Sequence, residues 1–149
     1  MKNKEARYQR LYQQFEKLRS NDGDRLSRMA TMVALVYHKI PYFFWCGFYL
    51  LKDNNLLVSV YQGPLACQKL EKDKGVCWAA ITQQKTLIVN DVEKFPGHIA
   101  CDSRSKSEIV LPFYDSKKNI IGVLDVDSDK TASFDEVDAR YLEKMLELI

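Results

Sequence analysis

The chain has 149 residues, 46% of them hydrophobic, with 22 basic against 20 acidic side chains and a formal net charge of +2. That length suits one domain burying roughly 70% of its unfolded surface, and the interspersed charges leave neither a nucleic-acid footprint nor a polybasic membrane patch. No stretch approaches the ~18 apolar residues of a membrane span, and Met1-Lys2-Asn3-Lys4-Glu5 leads into a polar amphipathic segment instead of the apolar core of a signal peptide, so a cytoplasmic protein is expected.

The first predicted element is a helix over about 5–19, where Tyr8, Leu11, Tyr12, Phe15 and Leu18 recur at steps of three and four and form one apolar stripe. This face packs on the domain or on a second subunit. After the cap-and-turn cluster Ser20-Asn21-Asp22-Gly23, a second helix carries Leu26, Met29, Ala30, Val33, Leu35, Val36 and Tyr37 and ends before Pro41. Phe43 to Leu51 reads as a central strand, and Asp53-Asn54-Asn55 turns it into an antiparallel neighbour, Leu56 to Tyr61. Alternation puts Trp45, Gly47 and Tyr49 on one face of the first strand, with Phe44, Cys46, Phe48 and Leu50 on the other. Trp45 and Tyr49 either wall a pocket, with Gly47 leaving room between them, or belong to an ordinary aromatic core.

Gly63-Pro64 breaks the second strand, and Leu65 to Lys74 is a loop that carries Cys67. A helix starts near Gly75 and contains Cys77; Thr86 to Asn90 is a short strand. Glu108 to Tyr114 and Asn119 to Asp127 form a hairpin about Asp115-Ser116-Lys117-Lys118. The last helix opens at Phe134-Asp135-Glu136, with Ser133 as N-cap, Glu136 closing a capping box, and Val137, Tyr141, Leu142, Met145 and Leu148 as the buried stripe. Helices flanking five or six strands joined mainly as hairpins give an α+β sandwich with a mainly antiparallel central sheet.

The chemistry gathers in the loop from Phe95 to Ser107. Pro96-Gly97 marks a turn, and Cys101 follows among His98, Arg104, Lys106 and several serines, the positive charge and donors that a thiolate needs near neutral pH. Glu108 stands at the entrance of the strand after it. In the last strand Asp125 and Asp127 share a face within an otherwise apolar run, and like charges so placed want a cation or a proton between them. A strand end emerging into solvent is the plain alternative, and a hard cation on the carboxylates is another. His38 and His98 are too few and too scattered for a transition-metal motif. In a reducing compartment four cysteines without a Cys-x-x-Cys pair are reactive or buried thiols, not structural disulfides or a zinc ribbon.

Residue by residue, Gly97-His98-Ile99-Ala100-Cys101-Asp102 with Ser105-Lys106-Ser107-Glu108-Ile109-Val110 closely resembles the signature of the free methionine-(R)-sulfoxide reductases, stand-alone GAF-domain enzymes. Gly63-Pro64-Leu65-Ala66-Cys67, Gly75-Val76-Cys77, Ile88-Val89, Asp91-Val92, Gly122-Val123-Leu124-Asp125-Val126-Asp127-Ser128 and Phe134-Asp135-Glu136-Val137-Asp138 resemble that family in its order, over roughly Trp45 to Leu142. The resemblance implies a single GAF domain over 1–149 and thiol-dependent reduction of free L-methionine (R)-sulfoxide. It implies Cys101 as nucleophile and Cys67 as the resolving thiol, with Cys77 either a backup resolver or a packing residue. Glu108, Asp125 and Asp127 become the carboxylates around the substrate's ammonium group, and Trp45 and Tyr49 the aromatic wall; apart from the resemblance, Glu108, seven positions after Cys101 at the strand entrance, is the candidate proton donor, with Asp125 or Asp127 the alternatives that share the proton. Cys46 has no counterpart there and is taken as core. No bound cofactor or metal is implied; thioredoxin or another dithiol is the reductant, and a homodimer is expected. A GAF sensor that holds a small ligand without turning it over is the alternative.

Overall fold

The computed structural model describes residues 3–19, 21–98 and 101–149, so Ser20 of the expected turn and Ile99 and Ala100 of the cysteine motif lie outside the described residues. Two helices, α1 (Lys4–Leu18) and α2 (Arg25–Lys39), precede the strands β1 (Trp45–Lys52), β2 (Asn55–Gln62) and β3 (Lys69–Leu70). Then come α3 (Gly75–Gln83), β4 (Leu87–Val89), β5 (Ser107–Tyr114), β6 (Ile120–Ser128) and α4 (Glu136–Leu146). The sheet order is β3-β2-β1-β6-β5-β4, and every pairing is antiparallel. At the β1–β2 turn Asp53 and Asn54 both take positive φ, 49° and 62°, the twist that a two-residue hairpin requires.

Side-chain alternation divides the interior in two. Cys46, Phe48, Ile109, Leu111, Leu124 and Val126 face the layer of α1, α2 and α4. Trp45, Tyr49, Val110 and Val123 face α3, which contributes Val76, Cys77, Trp78 and Ala80. Within α1 and α2 the periodic stripe is buried at Tyr8, Leu11, Phe15, Met29, Met32, Val33, Leu35 and Val36. Leu18 and Leu26, expected inside, are each 54% exposed, and Ala30 is exposed as well. The two leucines sit at the helix ends nearest the connecting turn, and periodicity carries no information on where the partner layer stops.

Two expected boundaries move. The N-cap of α4 is Asp135, not Ser133, and its capping box closes on Asp138 instead of Glu136. Ser133 bonds instead to Ser128 Oγ and the Lys130 carbonyl. The segment read as a loop after Pro64 contains β3, whose Lys69 and Leu70 pair with Leu57 and Leu56 of β2. Asp138 also anchors α1: fully buried, it accepts hydrogen bonds from Tyr8 Oη (2.7 Å), Tyr42 Oη (2.5 Å) and Lys4 Nζ (2.6 Å).

Candidate active site

Register assembles the site. Trp45 of β1 lies opposite Asp127 of β6, which lies opposite Glu108 of β5; one row along, Gly47 and Val110 flank Asp125. Two neighbouring strands, β5 with Glu108 and β6 with Asp125 and Asp127, thus put three carboxylates on one face, with an oxygen of each within 4.8 Å of the others. Trp45 stacks on Tyr49 at 5.7 Å and on Tyr61 at 5.3 Å. A Cβ built on Gly47 would stand 2.6 Å from Cη2 of the Trp45 ring, so the room left by the glycine is filled by the indole itself. The same two aromatics hold the next loop, Trp45 Nε1 donating to the Pro64 carbonyl (3.1 Å) and Tyr49 Oη to the Cys67 carbonyl (3.3 Å).

Among the described residues no cation sits between the three acids. Burial and the neighbouring Asp125 and Asp127 push the Glu108 carboxyl well above its ordinary range. Burial, followed by Asp127, does the same to Asp125, and burial raises Asp127 to about 6. Glu108 and Asp127 lie opposite each other in the β5–β6 pairing, and two carboxyls so close resist being ionised together. Ser105 and Cys77 line the same cleft as the acids. Asp125 is only 8% exposed, and its Oδ1 has no partner. A buried carboxylate oxygen left bare is costly unless something else meets it.

The cysteines complete the cleft. Cys67 and Cys101, 34 residues apart in sequence, are joined in a disulfide, while Cys46 and Cys77 are free and buried. Cys101, His98 and Asp102 line the cleft together with Trp45, Tyr49, Cys77, Glu108, Asp125 and Asp127. Lys74, the N-cap of α3, and the helix's first residues, Gly75 to Cys77, form another wall, and no side chain caps that helix N-terminus. The loop's other charges are engaged elsewhere. Arg104 clamps Asp102 through Nε and a terminal nitrogen (3.0 and 2.7 Å), which holds that carboxyl down to about 2, and lies over the Phe44 ring. Lys106 reaches Glu93 at 3.4 Å. Of the three basic side chains expected around Cys101, His98 is the one that lines the cleft, and burial lowers its pKa.

A GAF-domain family model matches residues 31–149. The free methionine-R-sulfoxide reductase of Escherichia coli (strain K12) is 38% identical over 144 residues, 97% of this chain and 87% of that protein. GAF domain-containing protein A of Dictyostelium discoideum is 52% identical over 147 residues, 98% of this chain and 92% of that one. The X-ray structure of the free methionine-R-sulfoxide reductase from Neisseria meningitidis in complex with its substrate is 37% identical and superposes with a TM-score of 0.92, covering 99% of this chain and 89% of that chain. The chain belongs to the GAF-domain free methionine-R-sulfoxide reductases.

In this reductase the residues singled out from sequence converge on one cleft: Trp45, Tyr49, Cys77, Cys101, Glu108, Asp125 and Asp127 line it, and Cys67 is tied to its rim through Cys101. Cys46 faces the other layer, as expected for core. Phe44 is misplaced by strand alternation. It precedes β1, so the period of two does not reach it, and it lines the cleft under Arg104. His98 and Ser105 carry no sequence pattern that would have placed them in the cleft.

Proposed function

We propose that this protein reduces free L-methionine (R)-sulfoxide to L-methionine. The observation that carries the reading is the pairing of a Cys67–Cys101 disulfide with three clustered carboxylates, Glu108 and Asp125 buried and Asp127 partly so, in the same cleft. One half of that arrangement is a redox couple; the other is a socket for a positive charge. Three oxygen donors would also suit a hard metal ion, but the stacked Trp45 and Tyr49 beside them favour an organic cation with an apolar body.

The substrate's ammonium group meets Asp125 and Asp127, and its carboxylate meets the uncapped N–H groups at the start of α3, where the helix dipole favours negative charge. The side chain then runs along Trp45 and Tyr49 toward Cys101. The Cys101 thiolate takes the sulfoxide oxygen while Glu108 protonates it, and methionine and Cys101 sulfenic acid result. Attack by Cys67 on that sulfenic acid forms the disulfide and releases water. Thioredoxin or another dithiol returns both sulfurs to thiols. The R preference rests on the family and its relatives. A homodimer in the cytoplasm remains part of this proposal, and among the described residues no helix is long and apolar enough to cross a membrane.

N-acetylation of the substrate tests the reading, because it removes the charge that the carboxylates would meet. N-acetylmethionine sulfoxide and peptide-bound sulfoxide should turn over at least 100-fold less efficiently in kcat/KM, as expected for loss of a buried ion pair worth about 3 kcal/mol. Equal kcat/KM for the free and acetylated compounds would reject the socket.

A further inference from the structure

The Trp45 indole, 5% exposed, lines the cleft, and close contacts fix its outline. A Cβ on Gly63, where φ is +121°, would stand 2.9 Å from Trp45 Cδ1, and beside that edge Nε1 donates to the Pro64 carbonyl at 3.1 Å. At the other end of the ring system Cη2 lies 2.6 Å from where a Gly47 Cβ would be. Both edges of the indole therefore lie against backbone that only glycine leaves open. Two phenol rings stack on it, Tyr49 at 5.7 Å and 27° and Tyr61 at 5.3 Å and 23°. Tyr49 lines the cleft with Trp45; Tyr61 is not among the described residues that line it.

Tyr61 stands on β2 opposite Gly47 of β1, partly buried and packed in the same layer as Trp45 and Tyr49. Its own Cβ lies 2.3 Å from where a Gly47 Cβ would be, so its side chain rises beside the strip of backbone that the indole tip covers. A ring that must be brought back into place weakens binding by the fraction of time it spends elsewhere, and a stacked neighbour removes that cost. We propose that Tyr61 is a positioning residue for substrate binding: its ring backs the Trp45 indole and keeps it at the side of the cleft along which the substrate's apolar side chain runs. This rests on the reading of the cleft given above. Standing outside the cleft, Tyr61 meets no reacting atom, so its effect falls on binding and not on the chemical step.

The test compares Tyr61→Phe, Tyr61→Leu and Tyr61→Ala in steady-state reduction of free methionine sulfoxide and in calorimetric binding of free methionine. Phenylalanine keeps the stacking ring and loses the hydroxyl; leucine keeps apolar bulk without a ring; alanine removes both. Tyr61→Leu and Tyr61→Ala should raise KM and the methionine Kd roughly fivefold to tenfold, the worth of one aromatic pair, with kcat within about twofold, and Tyr61→Phe should match the wild type. Combined with Trp78→Phe, which leaves Trp45 as the one tryptophan, Tyr61→Leu and Tyr61→Ala should shift the tryptophan emission and open it to acrylamide quenching, and Tyr61→Phe should not. The inference is wrong if Tyr61→Leu and Tyr61→Ala bind methionine within about twofold of wild type, if Tyr61→Phe binds it as weakly as they do, or if kcat falls while KM stays. A lower unfolding midpoint with unchanged Kd and emission in the folded variants would show a merely structural role and overturn it too. A wild type that neither binds methionine nor reduces its sulfoxide would reject the reading of the cleft, and the emission comparison, made without ligand, would still decide whether Tyr61 holds the ring.

Discussion

Glu108 and Asp127 face each other across the β5–β6 ladder, and two buried carboxyls with no cation between them resist losing the second proton. On the proposed reading, Glu108 offers the retained proton to the sulfoxide oxygen. Because the folded chain holds protons on this cluster more tightly than an unfolded chain would, its contribution to stability is complete below the ordinary carboxylate range. That contribution is lost as pH rises, through about 6 for Asp127. Catalysis should follow the same sign. With pre-reduced protein and saturating substrate, the single-turnover rate should fall as pH rises through an apparent pKa belonging to the coupled acids and thiol together. Glu108→Gln preserves shape and a donor but no transferable proton, so that rate should drop by about 10² to 10⁴ and lose this limb of the pH profile. A Glu108→Gln rate within about twofold of wild type would hand the proton to Asp125, Asp127 or a water molecule.

Among the elements, α4 carries most of the tie between the N-terminal helix and the domain. Asp138 closes the α4 capping box and accepts from Tyr8, Tyr42 and Lys4 at once, all within 2.7 Å, and its side chain is fully buried. Asp138→Ala should therefore cost about 3–5 kcal/mol in denaturant unfolding, the range for breaking a buried, hydrogen-bonded pair, and a loss under about 1 kcal/mol would show that water replaces the network. The sequence announced α4 by its apolar stripe, but Ser133 and Asp135 are both competent caps, and only the packed position of Asp138 decides between them. A period of two was enough to put Asp125 and Asp127 on one face. It was not enough to bring Glu108 beside them, which depends on the β5–β6 register, nor to reveal β3, which is two residues long. Cys67 and Cys101 lie on loops 34 residues apart, where no periodicity operates; family resemblance supplied that pair, and chain topology brings it together.

At the scale of the whole molecule, the sheet separates a conventional helical core from a face given over to the cleft. Cys46, Phe48, Ile109, Leu111 and Leu124 fill one side and Trp45, Tyr49, Glu108, Asp125 and Asp127 the other, so each of the central strands is half scaffold and half site. The loops that carry Cys67 and Cys101 lie above that second face, held by Trp45 on the Pro64 carbonyl, Tyr49 on the Cys67 carbonyl, and Lys106 N–H on the Ser128 carbonyl. On the proposed reading, such an arrangement admits one small zwitterion to Cys101 and then lets Cys67 close over the oxidised sulfur. The most direct measurement is a single turnover by fully reduced protein, without a recycling reductant, on the separate R and S epimers of free methionine sulfoxide. The R epimer should yield one methionine per chain together with the Cys67–Cys101 disulfide; the S epimer and the Cys101→Ser protein should yield none. No methionine from the R epimer, or a stoichiometric yield from Cys101→Ser, would contradict it.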